Sequence, residues 1–185
     1  VVRVLALCAG ARVPVTFRAA GTSLSGQAIS DSVLVVLGDG WRGCAPSADG
    51  TTIALQPGVI GAAANRRLAP FARKIGPDPA SIDAAMIGGI AANNASGMCC
   101  GTAQNSYRTL AAMRVVLVDG AVLDTADPAS VAAFRASHAD LLSSLGALAH
   151  ETKGNTVLAD RIRHKFRIKN TTGYHMEAFL DGRTP

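Results

Sequence analysis

The sequence predicts an α+β fold that contains α/β subdomains, and three patterns along the chain support this prediction. A helical stripe over residues 1–11 is followed by the short strand-like run VPVTFR, residues 13–18. The continuous apolar run SVLVVLG, residues 32–38, is typical of a strand covered on both faces in a parallel sheet. The segment MRVVLVDGAVLDT, residues 113–125, places two alternating strands around a central Asp-Gly pair, which predicts a hairpin.

The elements between these markers follow from local signals. The run TTIALQ, residues 51–56, predicts a strand, and residues 59–72 predict an amphipathic helix whose last turn is weakened by Pro70. The segment IGPDPAS, residues 75–81, is not expected to be helical because two prolines bracket its aspartate. Elements thus alternate without internal repeats or a long linker, as in an α/β unit that passes into α+β.

The region after the hairpin is predicted to be helical. It opens at Asp127-Pro128, which supplies a capping side chain and a proline at the first helical position. Apolar residues then recur at helical spacing and predict one inner face; they are Val131, Phe134, Leu141, Leu145 and Leu148. His138 falls near this face, where a hydrogen-bonded boundary residue is expected. The basic segment from Arg161 to Lys169 is expected to be a solvated face.

Composition excludes several classes of protein. With 185 residues, 49% hydrophobic and 17% charged, the chain is a packed globular one with room for one domain or two small subdomains. Its net charge of +5 comes without basic residues interleaved with aromatics, so no nucleic-acid partner is expected. No apolar run approaches the roughly 20 residues needed to span a bilayer, and no signal peptide is recognised. The four cysteines lack metal-binding spacing, so no metal site is expected, and they favour a reducing compartment.

The stretch FRAAGTSLSGQA, residues 17–28, is the first candidate for a binding function. Its glycines, Gly21 and Gly26, are separated by four residues and follow a strand, which matches the start of a phosphate-binding loop. Gln27 and Ala28 stand where a triphosphate loop has a lysine and a hydroxyl, so triphosphate hydrolysis is not expected. Glycine amides and loop hydroxyls can still approach an anion, and a diphosphate masked as a diester fits best. An ordinary glycine turn is the alternative.

The stretch MIGGIAANNASG, residues 86–97, is the second candidate. It places Gly88 and Gly89 among small residues, so that the backbone can pack against a flat or extended ligand. A tight helix–helix contact is the alternative. We expect both stretches to be nearly side-chain-free loops that folding brings together around one ligand.

Four motifs give the chain a family resemblance. PVTFRAAGTSLSGQA, GPDPAS, IGGIAANNASG and VVLVDGAVL occur in the order and spacing of the FAD-linked oxidase family, the group of vanillyl-alcohol oxidase and para-cresol methylhydroxylase. Within it the chain resembles the D-lactate dehydrogenase and glycolate oxidase branch, in the form with a downstream iron–sulfur domain, and KNTTGYHMEAF from Lys169 is similar to a segment of that branch. The resemblance implies a para-cresol-methylhydroxylase-type FAD-binding fold. A small parallel-sheet subdomain, residues 1–50, would precede a mixed or antiparallel-sheet subdomain with helices, residues 51–185.

The resemblance also implies which residues hold FAD. The diphosphate would lie on the backbone of Ala20, Gly21, Thr22, Ser23, Leu24 and Ser25. Pro77, Asp78 and Ser81 would line the cofactor. Gly88, Gly89, Ala92, Asn94 and Gly97 would run along the diphosphate and the ribityl or flavin side. Some relatives bond FAD covalently to a histidine of the first loop, which here has none, so non-covalent FAD is expected. No catalytic residue is identified, since this branch carries its catalytic machinery further along.

The activity implied by the resemblance is oxidation of a D-2-hydroxy acid, such as D-lactate or glycolate, by hydride transfer to FAD. Electrons would pass to an iron–sulfur centre, a quinone or a cytochrome, in a protein that is cytoplasmic or attached peripherally to the inner membrane. Because both ends interrupt the family pattern, we expect a fragment that is inactive alone. Two alternatives stay open: an FAD-dependent reductase of the cell-wall precursor type, and a non-catalytic domain that binds a nucleotide or partner through the basic segment.

Overall fold

The computed structural model describes residues 1–168, Asn170 and residues 174–181. It contains α-helices together with short parallel and antiparallel sheets, and the predicted α+β class is confirmed. Two compact units are present: Leu7–Thr109 is one, and Val1–Ala6 with Leu110–Pro185 is the other. The sequence-based boundary near residue 50 is expected to separate two subdomains of an FAD-binding domain. It divides the chain differently from these two units, and it stays a prediction.

A short α/β motif opens the chain. Helix α1 (Val2–Ala11) ends where Arg12 takes a left-handed conformation at φ 54°. Strands β1 (Val15–Arg18) and β2 (Val33–Val36) then pair in parallel, as the sequence predicts. The expectation that β2 is covered on both faces is wrong, because Val36 is 59% exposed and the sheet has two strands in the part of the chain that is described. The apolar run therefore predicted a parallel strand correctly, but the burial that it predicted for that strand is wrong.

An antiparallel hairpin and a helix follow. Strands β3 (Cys44–Pro46) and β4 (Ile53–Leu55) pair around a turn that contains Asp49. Helix α2 (Gly61–Leu68) then buries one face through alanine and leucine, and it tightens into a 3₁₀ turn over Ala69–Phe71. The proline in that turn lacks the N–H that a longer α-helix would need, so the predicted weak last turn is confirmed.

Helix α3 (Ile87–Ala92) lies inside the stretch that the sequence predicts as a loop, and the loop prediction for these six residues is wrong. Its start is held by backbone pairing of residues 57–61 with residues 85–88: the amide of Ile87 donates to Val59 at 2.8 Å, and that of Gly88 donates to Pro57 at 2.9 Å. The helix thus depends on contacts with a distant segment. A small apolar core lies under it, formed by Ala85, Ile90 and Ala95 with Ile82 and Ile87.

The turn after α3 is fastened by a short helix, α4 (Ser106–Thr109). The buried hydroxyl of Ser106 donates to the carbonyls of Ile90 at 3.1 Å and Ala95 at 3.2 Å. Asn94, in a left-handed conformation at φ 43°, accepts a hydrogen bond from the amide of Tyr107 at 2.8 Å. These bonds fix the path of the chain immediately before Gly97.

The other unit begins with the predicted hairpin. Strands β5 (Arg114–Val116) and β6 (Val122–Asp124) are antiparallel around Asp119-Gly120, and Gly120 has φ 87°. This prediction is confirmed because the turn needs a residue that tolerates positive φ, which is what an Asp-Gly pair offers.

The helical region after the hairpin starts as expected and then divides. Asp127 accepts a hydrogen bond from the amide of Ala129 at 2.9 Å, which confirms the cap of helix α5 (Pro128–Ser137). A second helix, α6 (Ala139–Gly154), follows after a break at His138. The prediction of one continuous inner face along a single helix is therefore wrong. The histidine ring stacks on Phe134 at 4.2 Å between centroids.

The break is stabilised by the two nitrogens of His138, which lie 2.8 Å from the hydroxyl of Ser137 and 2.9 Å from a carboxylate oxygen of Asp119. The hydrogen-bonded boundary role expected of this histidine is confirmed. The amide of Ala121 and, next, His138 hold the pKa of Asp119 below its ordinary value.

Helix α7 (Thr156–Lys165) carries much of the basic segment, and a 3₁₀ turn over Met176–Phe179 follows. Arg161, Arg163, Lys165 and Arg167 are exposed, so the solvated face is confirmed for them. Lys169, the last basic residue of the segment, lies outside the described residues, as do Thr171, Thr172 and Gly173 of the KNTTGYH motif. In the part of the chain that the structure describes, every helix is too short or too polar to cross a bilayer.

Stability in acid is expected to depend on the β3–β4 turn. The amide of Thr51, then the hydroxyls of Ser47 and Thr51, lower the pKa of Asp49 from 3.8 to about 2. A carboxylate with a depressed folded-state pKa stabilises the fold above its unfolded pKa, and that contribution disappears as the pH falls toward 2. We therefore expect Asp49→Asn to show a smaller loss of thermal midpoint between about pH 4 and pH 2 than the parent protein. Asp31→Asn, on an exposed residue, is the control and should follow the parent curve.

Candidate functional site

The first candidate loop leaves the end of β1 and is open to solvent. Gly21 and Gly26 have φ 70° and φ 76°, values that residues with a side chain rarely adopt. Residues 22–27 are exposed, and the hydroxyl of Ser23 donates to the side chain of Gln27. The loop thus combines exposed hydroxyl side chains with glycines in left-handed conformations, a composition that suits an anion site.

The two candidate stretches meet at Ala19 and Gly89. A Cβ placed on Gly89 would lie 3.7 Å from the Cβ of Ala19, which is ordinary van der Waals contact. Ala19 directly precedes the first loop, and Gly89 is an exposed residue of α3. The expectation that folding brings the two stretches together is therefore confirmed where Ala19 approaches Gly89.

Gly88, one residue before this contact, has a structural role of its own. A Cβ there would lie 2.8 Å from the Cβ of Pro57 and 3.2 Å from its carbonyl oxygen. Only glycine lets α3 approach the Pro57 turn this closely. The adjacent glycines therefore differ: one is packed against protein, and the other leaves open surface beside the first loop.

A second close approach joins the remaining predicted residues. Asp78 and Gly97 form a parallel bridge, and a Cβ on Gly97 would overlap the carbonyl oxygen of Asp78. Gly97 is buried with φ 149°, and Pro77 is buried beside the bridge. The two motifs GPDPAS and NNASG are thus joined by their backbones, with no room for a side chain between them.

The carboxylate of Asp78 is neutralised by a neighbouring lysine. The ammonium of Lys74 lies 2.6 Å from it, and this hydrogen bond and charge raise the pKa of Lys74. Pairing lowers the repulsion that a bare carboxylate would exert on an anionic ligand nearby.

Other predicted residues occupy places consistent with lining a ligand or with holding the turn. Ala92 is exposed at the end of α3, and Ser81 is half-buried. Leu24 is fully exposed at the tip of the first loop. Asn94 uses its side-chain oxygen within the turn, as described above. The assignment of each of these residues to FAD stays a prediction.

Two residues of the site were missed by sequence reasoning. The hydroxyl oxygen of Ser96 is buried and has no hydrogen-bond partner among residues 1–168, 170 and 174–181. Arg18 lies over Gly21 through its guanidinium. The signal for Arg18 was its position at the last residue of β1, directly before the loop, but no sequence pattern shows where a long side chain folds.

Comparison with known proteins decides the family. The model of a family described as "FAD binding domain" matches residues 1–126, more than half of the chain. The chain belongs to this family of FAD-binding domains. Both candidate stretches lie inside the matched region, and the resemblance to the FAD-linked oxidases is confirmed, with FAD as the cofactor.

Curated relatives of this FAD-binding domain include glycolate oxidase subunits. It is 36% identical over 125 residues to the glycolate oxidase subunit GlcD of Escherichia coli strain K12, and equally so to that of strain O6:H1. The match covers 66% of this chain and 25% of each relative. The chain thus spans about a quarter of the length of the relatives it matches.

The residues present fit FAD on structural grounds. Gly89 leaves open, exposed surface beside the first loop, where a flat or extended group can approach the backbone. The first loop offers amides and hydroxyls suited to a diphosphate diester. The orphaned hydroxyl of Ser96 is a buried polar group that would be satisfied by a ligand atom, and such groups are costly when left unpaired.

Proposed function

We propose that this chain is the FAD-binding part of a flavoprotein oxidoreductase that oxidises a D-2-hydroxy acid such as D-lactate or glycolate. The observation that carries the proposal is the close approach of Ala19 to Gly89, which brings two glycine-containing stretches together in a member of the FAD-binding family. The choice of substrate rests on the similarity to glycolate oxidase subunits. Bound FAD would supply the hydride-accepting chemistry.

The chain's own residues bind and orient the cofactor. The amides of residues 20–25 donate to the diphosphate, and Gly89 and Ala92 let the backbone of α3 approach it. Pro77, Asp78 and Ser81 line it from the segment that Gly97 holds in place. The first loop has no histidine, so binding is non-covalent. The electron acceptor, whether an iron–sulfur centre, a quinone or a cytochrome, and the cytoplasmic location with peripheral inner-membrane attachment remain predictions from the resemblance.

Anaerobic reduction of the flavin tests this proposal. The full-length protein is purified with FAD and mixed with D-lactate, glycolate, L-lactate or a reduced nicotinamide cofactor, and the flavin absorbance is followed. We expect bleaching by D-lactate or glycolate and none by L-lactate, because the proposed site is specific for the D configuration.

Three results would contradict the proposal, each at a different level. A protein that purifies colourless and takes up no FAD would refute cofactor binding itself. Bound FAD that no 2-hydroxy acid bleaches would refute the substrate class. Bleaching by reduced nicotinamide alone would replace the dehydrogenase with a reductase of the cell-wall precursor type.

A further inference from the structure

The side chain of Arg18 covers the glycine at the start of the first loop. Arg18 is the last residue of β1 and is half-buried. A Cβ built on Gly21 would lie 2.7 Å from Nη2 of this arginine and 2.8 Å from its Cζ. The absence of a side chain at Gly21 is therefore what allows the guanidinium to lie against the loop backbone.

This guanidinium has no carboxylate partner in the part of the chain that is described. The ion pairs of that part involve other cations, among them Arg42 with Asp39 and Lys74 with Asp78. An arginine stays charged at any physiological pH, and a partly buried charge is costly unless an opposite charge satisfies it. The position thus favours an anion that is not part of the chain.

The loop itself lacks a positive charge. Residues 19–28 contain no lysine or arginine, although the amides and hydroxyls they present suit a diphosphate. A guanidinium binds two oxygens of such a group with parallel N–H bonds, which are stronger than hydrogen bonds between neutral groups. Arg18 is a cation that the fold places against this loop.

We propose that Arg18 is the cationic ligand of the FAD diphosphate and supplies the charge that a lysine provides in triphosphate-binding loops. This inference rests on the proposed FAD binding and adds a residue to it. It explains why a loop without a lysine can hold a doubly charged diphosphate.

Flavin titration of the full-length apoprotein tests the inference. Arg18→Gln keeps most of the aliphatic stem and removes the charge, so we expect the Kd for FAD to rise at least about tenfold. Arg18→Lys keeps the charge without the two-pronged geometry and should recover part of that loss. The affinity of the parent protein should weaken with added salt more steeply than that of Arg18→Gln, because salt screens the charge that the variant lacks.

Arg42→Ala is the matched control, since Arg42 is an exposed arginine of the same unit that pairs with Asp39. Its Kd should stay within about twofold of the parent value.

Circular dichroism of the apoproteins shows whether each variant is folded. If Arg18→Gln is unfolded, Arg18→Lys replaces it as the test variant. A folded Arg18→Gln that binds FAD within about twofold of the parent, with the same salt dependence, would overturn the role of Arg18 alone. A parent protein that binds no FAD would overturn the proposed function, and this inference with it.

Discussion

Gly97→Ala is expected to destabilise the unit that contains the candidate site by at least about 3 kcal/mol. The new Cβ would overlap the carbonyl oxygen of Asp78, which is backbone and cannot rotate away. The residue also has φ 149°, a conformation that residues with a side chain rarely adopt. Separation of the two chain segments would follow, and FAD binding would be lost with them. Urea unfolding of the apoprotein measures the loss of stability.

Gly101→Ala separates the steric overlap from the cost of the backbone conformation. Gly101 also has positive φ, at 53°, but a Cβ there would meet no atom within 4 Å. In this variant only the left-handed backbone conformation disfavours alanine, so the unfolding free energy should fall by about 1–2 kcal/mol. If both variants lose the same stability, the steric role of the Asp78–Gly97 bridge is wrong.

Gly89→Ala is expected to weaken FAD binding while leaving the apoprotein as stable as the parent or more so. A Cβ at this position contacts only Ala19, at an ordinary 3.7 Å, so the protein itself accepts it. Because glycine is a poor helix former, alanine within α3 should raise the unfolding free energy by up to about 1 kcal/mol. The same methyl group would occupy the surface on which we place the diphosphate, so the Kd for FAD should rise at least about tenfold. Thermal unfolding and flavin titration measure the two effects.

Opposite signs of the two effects make this test specific. A variant that merely damages the fold loses stability and affinity together. Gly146→Ala is the matched control: Gly146 lies inside α6 with open space around it, so alanine should stabilise the helix without changing FAD affinity. Arg161→Ala, on the exposed face of α7, should also retain FAD. Unchanged affinity in Gly89→Ala and in the larger Gly89→Val would remove α3 from the binding site.

Local signals in the sequence predicted the elements whose causes are local. The hairpin at Asp119-Gly120 needs positive φ at its turn, and the start of α5 needs an oxygen that accepts a hydrogen bond from a free amide. The absence of helix around Asp78 follows from its flanking prolines. These features depend on a few neighbouring residues, so they can be read without the rest of the chain.

Features that depend on distant contacts were not predictable in the same way. Helix α3 has two glycines in its first turn, which disfavour helix, and it forms because backbone carbonyls of Pro57 and Val59 accept hydrogen bonds from its first amides. No proline or glycine at His138 signals the helix break in the sequence. The break is stabilised by Asp119, 19 residues earlier. The lack of cover over β2 depends on how many strands the sheet has.

In the candidate site, too, the features with local causes were predictable and those that depend on distant contacts were not. Glycine spacing and family motifs indicated both candidate stretches, because backbone approach requires small residues in any fold. Which of the adjacent glycines packs against protein, and which leaves space for a ligand, depends on Pro57 and Ala19. The same holds for Arg18 and Ser96, whose importance comes from where the side chains lie and from which partners they lack among the described residues.

A crystal structure of the full-length protein with FAD bound would test the central claim most directly. The account predicts diphosphate oxygens at hydrogen-bond distance, about 2.9 Å, from amides of residues 20–25, with the backbone at Gly89 in van der Waals contact with the cofactor. A diphosphate bound elsewhere, with the first loop and α3 both facing solvent, would contradict it.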